Sequence, residues 1–200
     1  MVALAGPEQR DALAELVHIG VGQAGASLAQ LFETFITPSI SRIEIVQPHD
    51  FPQAIATVVD EPGPIVAVRQ AFSSRIRGEA IVVSTAGGRD ALADAVSFPG
   101  GSSDELVLEV SNVLVGACVG RLAAQLALDL SFAPPSLVGP HASVHELLEA
   151  GGLAWRNALV AEVQFQLVDR AFRCHLFTLW PDESIDELLA AVDAFLASLM

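Results

Sequence analysis

Apolar positions recur at helical spacing along two long stretches of this chain, and each stretch carries one polar line through its apolar residues. Pro7 and Glu8 open the first, which the pattern extends to about Phe35, with Pro38 as its stop. From Ser41 to Val46, Ile43 and Ile45 alternate with Arg42 and Glu44, the signature of a strand with one face buried. Ala54 to Val59 and Ile65 to Phe72 are β-branched runs around the turn Glu61-Pro62-Gly63-Pro64, which predicts a hairpin. Ile76 to Ser84 reads as a further strand, and Asp90 to Val96 as a helix after Gly87-Gly88.

The second long helix follows the break at Phe98-Pro99-Gly100-Gly101. Ser102, Ser103 and Asp104 supply good N-caps, and it runs to about Leu128. Leu130 to Val138 holds Pro134-Pro135 and reads as an edge strand or extended segment. Val144 to Ala150 is predicted as a short helix. Leu159 to Val168 and Phe172 to Trp180 read as strands, and Asp182 to Leu199 as a closing amphipathic helix. The order is helix, strands, helix, stated twice. It predicts an α+β fold with an internal duplication, both long helices lying on one side of an antiparallel sheet about a pseudo-twofold axis.

The polar lines repeat at one constant offset. Asp11, Glu15, His18 and Gly22 recur as Glu105, Glu109, Asn112 and Gly116, and Leu28 aligns with Leu122. Steps of three and four place each set on one helix face. Asn is a poor residue for a helix interior, so its presence asks for a cause other than packing. Gly116 and Gly120 each cost about 1 kcal/mol relative to Ala mid-helix. Such glycines make sense where another backbone or a partner protein comes close.

Charge narrows the chemistry. The chain has 24 acidic and 10 basic residues, a formal net charge of −14, and every basic residue is Arg. Nucleic acid is excluded as a partner by that balance, and the absence of Lys removes Schiff-base and phosphate-loop lysine chemistry. Cys118 and Cys174 lack the density of a disulfide framework and read as small buried hydrophobes, which fits a reducing cytoplasm. As neighbours in a strand, Cys174 and His175 face opposite ways and form no dyad. Val110 to Leu128, the longest apolar stretch, is broken by Ser111, Asn112, two glycines and Arg121, so no membrane span is expected, and the N-terminus lacks a basic region followed by an apolar core, so no signal peptide is expected. His141 and His145 with Glu146 have ligand-like spacing but no evident further partner, and no metal site is expected. A carboxamide beside a carboxylate is a poor nucleophile. It orients a water well, because an amide both donates and accepts, while the acid grips a cation of a partner.

Both lines resemble the signature of the CheC/CheX/FliY family, chemotaxis phosphatases that dephosphorylate response-regulator receiver domains. The family pattern is an acid or Ser, three residues, Glu, two residues, Asn, and Gly four further on. Glu109 and Asn112 fit it, and the following Leu122 to Leu137 with its Pro-Pro segment resembles the family's next elements. The likeness is to CheC itself, the two-repeat form. It implies one CheC-like domain over residues 1–200, built of halves at about 1–97 and 98–200. It implies hydrolysis of the aspartyl phosphate of a CheY-like receiver domain, with Glu109 and Asn112 as catalytic residues. Glu15 and His18 would form a degenerate second site, since the family's Asn is His18 here. No cofactor of its own is implied; Mg²⁺ would belong to the receiver. The alternative implied role is non-catalytic: a binding module or adaptor for a receiver or a CheD-like receptor deamidase, or a structural subunit of a motility complex.

Overall fold

In the computed structural model, residues 6–46, 65–96, 101–138, 155–167 and 170–199 are described. Helix α1 (Pro7–Leu31) opens on Pro7, whose missing N–H is no loss in a first turn. The Gly6 N–H donates to Gln9 Oε1 at 2.8 Å. Leu13, Leu16, Val17, Val21, Ala24 and Leu28 form its buried side. The helix ends before the expected Phe35, and Pro38 is not what stops it. Glu33 takes a left-handed conformation (φ 49°), and the Thr34 N–H donates to the Ala29 carbonyl at 3.2 Å. This closure satisfies the last carbonyls without a glycine. Pro38 instead lies within strand β1 (Ile36–Val46), which starts earlier than the alternation indicated. β1 is a sheet edge, where a missing N–H is tolerated.

Strands β2 (Ile65–Ser73) and β3 (Arg77–Thr85) form a hairpin. Helix α2 (Ala86–Ala95) follows directly, capped by Thr85, whose Oγ1 accepts from the Gly88 N–H at 2.9 Å. Helix α3 (Ser103–Gln125) then repeats α1. Its C-terminus closes in the same way: Ala127 has φ 53°, and the Leu128 N–H reaches the Ala123 carbonyl at 2.8 Å. Glu33 and Ala127 stand at the offset that relates the two polar lines. The duplication therefore extends to the backbone of the helix ends.

The extended segment after α3 is two short strands, β4 (Ser131–Phe132) and β5 (Ser136–Val138), both pairing with the outer edge of β2. Strands β6 (Trp155–Leu167) and β7 (Arg170–Pro181) form the second hairpin, and helix α4 (Asp182–Ser198) closes the chain. The predicted strand at Ala54 to Val59 and the short helix at Val144 to Ala150 lie outside the described residues.

The sheet is antiparallel, with order β1-β6-β7-β3-β2-β4 and β5 also on β2. Its centre is the β3–β7 pair, so β6 stands in one half where β2 stands in the other. Val82, Ala80 and Phe72 face the helices with Cys174, Leu176 and Trp180 and share one apolar cluster with all four helices. Trp180 packs on Phe72 with ring centroids 4.8 Å apart and donates its indole N–H to Thr178 Oγ1 at 2.9 Å. Both long helices lie on one side of the sheet. They meet at Gly20, where a Cβ would stand 2.6 Å from the Cys118 Cα and 3.1 Å from the Ala117 carbonyl oxygen.

Two expectations follow. Gly20→Ala forces backbone apart and should destabilise the fold by about 1–3 kcal/mol. Gly22→Ala has nothing within 4 Å of the added methyl and should stabilise by up to about 1 kcal/mol through helix propensity alone. Urea unfolding of the two variants checks both signs. Burial also pushes the thiols of Cys118 and Cys174 up, Cys174 from 9.0 to about 12 and Cys118 further, with Cys174 beside it adding to the shift. Both thiols should resist alkylation until the chain unfolds. Above pH 9 only the unfolded chain ionises them, so stability should fall as pH rises from 9 towards 12. The fall should be shallower in Cys174→Val.

Candidate functional site

The start of α3 is a full capping box. Ser102 Oγ accepts from the Glu105 N–H at 3.2 Å, and Glu105 Oε2 accepts from the Ser102 N–H at 2.7 Å. Glu105, which the spacing places in line with Glu109, thus also serves the helix cap. The outward-facing line runs from Glu105, exposed, through Glu109, half-buried, to Asn112 and Gly116, both exposed. On the other side, Leu106, Val110, Leu114, Cys118 and Leu122 enter the core. By length and hydropathy α3 could cross a membrane, but its apolar side is the centre of this fold.

Asn112 is exposed yet held. Gln70, on β2, is 3 % exposed and reaches Asn112 from beneath: its Nε2 donates to Asn112 Oδ1 at 3.0 Å and to the Ala133 carbonyl at 2.9 Å. Val66, Val68 and Phe72 are on the same face of β2 and are buried apolar residues. Gln70 Oε1 is buried and finds no partner among the described residues. A buried acceptor left unpaired costs on the order of 1–3 kcal/mol. An apolar residue here would avoid that cost but would release Asn112. Sequence reasoning missed Gln70, although a lone amide in an apolar alternation was a visible signal.

Ala133 is itself fixed by the edge of the sheet. Its N–H donates to the Ala71 carbonyl at 2.9 Å. On one side of it Phe132 pairs with Phe72, and beyond Pro134-Pro135 Ser136 pairs with Arg69. The edge thus takes one more residue than β2 over the same span, a bulge set where two prolines contribute no N–H.

On α1, Glu15, His18 and Gly22 are likewise exposed. The support differs, however. His18 Nδ1 lies 3.2 Å from the Ala14 carbonyl of its own helix. In β6, the counterpart of β2, the helix-facing residue beside Cys174 is Val163, fully buried and with no hydrogen bond to offer. At the two glycines of the lines, Gly22 and Gly116, an added Cβ would meet open space, while one at Gly120 would make ordinary contact with the Phe132 ring at 3.8 Å. The close approach of the two long helices is at Gly20 instead.

Other candidates resolve as structure. Arg89, after Gly87-Gly88, pairs with Asp90 and with Asp104 at 3.0 Å and ties α2 to α3. Cys174 faces the helices, and His175 lies buried on the opposite face of the sheet. His141, His145 and Glu146 lie outside the described residues, among which no group of three or more His, Cys, Asp or Glu could hold a metal ion.

No family model and no curated protein matches the sequence. Solved structures do match its fold. The crystal structure of Thermotoga maritima FliY superposes with a TM-score of 0.69 at 13 % identity, covering 96 % of this chain and 100 % of that one. FliM from H. pylori, in a complex with SpeE, gives 0.67 at 8 % identity over 96 % and 97 % of the two chains. The H. pylori FliM middle domain gives 0.62 at 9 % identity over 93 % and 99 %. At these identities the likeness is one of fold: the chain has the CheC-like fold seen in FliY and FliM.

Proposed function

We propose that this chain is a phosphatase for the aspartyl phosphate of a CheY-like receiver domain, acting through Asn112 and Glu109. The observation that carries the reading is an exposed carboxamide held from below by a buried hydrogen bond. It sits on a helix face that also bears a carboxylate and an open glycine. An acyl phosphate is reactive enough to need no enzyme nucleophile. A water placed in line attacks phosphorus, the bond from phosphorus to the aspartyl oxygen breaks, and the products are inorganic phosphate and the receiver's free carboxylate. Orientation is then the main gain, and an amide that accepts from the water while donating elsewhere supplies it. Glu109 grips a cationic side chain of the receiver. The Mg²⁺ of the reaction belongs to the receiver, and such a partner places this chain in the cytoplasm.

A second reading is a binding module without catalysis, docking a receiver or a CheD-like deamidase. The FliM neighbour found in a complex with SpeE supports it, since there the same fold serves as an interaction partner. Loss of phosphate from a CheY-like receiver phosphorylated with acetyl phosphate separates the two. Wild type should speed the loss. Asn112→Ala should abolish the acceleration with receiver affinity kept within about threefold, and Glu109→Ala should lower both. His18→Ala should change the rate less than twofold. Wild-type binding with no acceleration would leave the module reading in place.

Gly116 gives an independent check. Because nothing in the chain lies within 4 Å of a methyl there, Gly116→Ala should raise stability by up to about 1 kcal/mol. The same methyl should weaken receiver binding at least fivefold if a partner seats on this face. Higher stability with unchanged affinity would place the docking surface elsewhere.

A further inference from the structure

We infer that Gln70 is a positioning residue for this site: it fixes the Asn112 carboxamide in one orientation before any partner docks. The inference rests on the phosphatase reading and adds to it the device that sets the amide's direction.

The direction follows from hydrogen-bond valence. The Ala133 carbonyl only accepts, so the end of Gln70 that faces it at 2.9 Å must be the NH₂ group. The other proton of that nitrogen points to Asn112 at 3.0 Å, so the Asn112 atom there must be oxygen. Asn112 Nδ2 is thereby turned away from Gln70, and one lone pair of Oδ1 stays free. The reference point is backbone, since the Ala133 N–H is bonded to the Ala71 carbonyl on the neighbouring strand. Orientation therefore passes from the sheet edge through Gln70 to Asn112. A free exposed Asn samples both flips of its amide, and only one presents donor and acceptor in this order.

The cost of Gln70 points the same way. Its Oε1 is buried with no partner among the described residues, on a strand face whose other members are apolar. A residue chosen for packing alone would be apolar. The first polar line makes the contrast: His18 is bonded to its own helix, and Val163 lies on the strand that takes the place of β2. The buried amide is found behind the carboxamide and not behind the imidazole.

The test measures phosphate loss from a CheY-like receiver phosphorylated with acetyl phosphate, for wild type, Gln70→Met, Gln70→Glu and Asn112→Ala. Gln70→Met keeps the length and removes both donors; Gln70→Glu keeps the shape and reverses the hydrogen-bond sense. Each should lower kcat at least tenfold with KM for the receiver within twofold of wild type. A loosened fold would move KM and the unfolding midpoint as well. Side-chain amide hydrogen exchange, read by NMR on the wild-type chain, needs no variant. The Gln70 Nε2 protons should exchange at least tenfold more slowly than those of an exposed amide. Gln70→Glu should turn the Asn112 Nδ2 protons inward and slow their exchange.

If Asn112→Ala loses activity while both Gln70 variants keep it, the positioning role is overturned and the phosphatase reading stands. If wild type does not speed phosphate loss, the phosphatase reading falls and a role for Gln70 in that reaction falls with it. Gln70 protons that exchange as fast as exposed ones overturn the held orientation itself.

Discussion

The close approach of α1 and α3 at Gly20 is the constraint on which the rest of this fold depends. Two helices whose backbones nearly touch leave no room for side chains at the crossing, so each must turn its remaining apolar residues down into the sheet. That fixes the rotation of each helix about its axis. Once the rotation is set, steps of three and four residues carry Glu15, His18 and Gly22 outward on one helix and Glu109, Asn112 and Gly116 outward on the other. Matching closures through Glu33 and Ala127 end both helices at equivalent points. The polar lines face solvent because the crossing leaves them no other direction.

Much of this could be read from the sequence, and the losses have identifiable causes. Both long helices, most strands and the duplication follow from periodicity, because burial acts on every third or fourth residue of a helix and every second residue of a strand. The end of α1 was misplaced because its left-handed closing residue is Glu33, where glycine or asparagine would have marked the turn. The crossing itself was hidden. Gly20 and Gly22 differ by two positions in one helix, and only the packing tells which of them meets Cys118.

The site was half legible for a related reason. Asn112 and Glu109 stand out locally, since an amide mid-helix lacks an intrinsic rationale. Glu105 stood out too, four residues before Glu109, but it also stands three residues after Ser102, and the capping box there is what its carboxylate serves. Gln70 is far from Asn112 in sequence. It shows itself only as an interruption in the apolar face made by Val66, Val68 and Phe72.

The two halves differ most where a polar group must be supported from below. Helix closures depend on backbone geometry and tolerate almost any side chain, so both copies keep them. A fixed surface amide is more demanding: it needs a buried donor, and that donor needs a second acceptor of known direction. On α3 the chain meets both needs at once, because the Pro134-Pro135 bulge brings the Ala133 carbonyl to Gln70 just where β2 passes under Asn112. On α1 the imidazole of His18 gives its hydrogen bond to the Ala14 carbonyl of its own helix, and the residue of β6 that answers to Gln70 is the apolar Val163. Asymmetry at one buried position of the sheet thus accompanies asymmetry at the surface. The difference between the two lines is a property of the layer beneath them as much as of the residues that reach solvent.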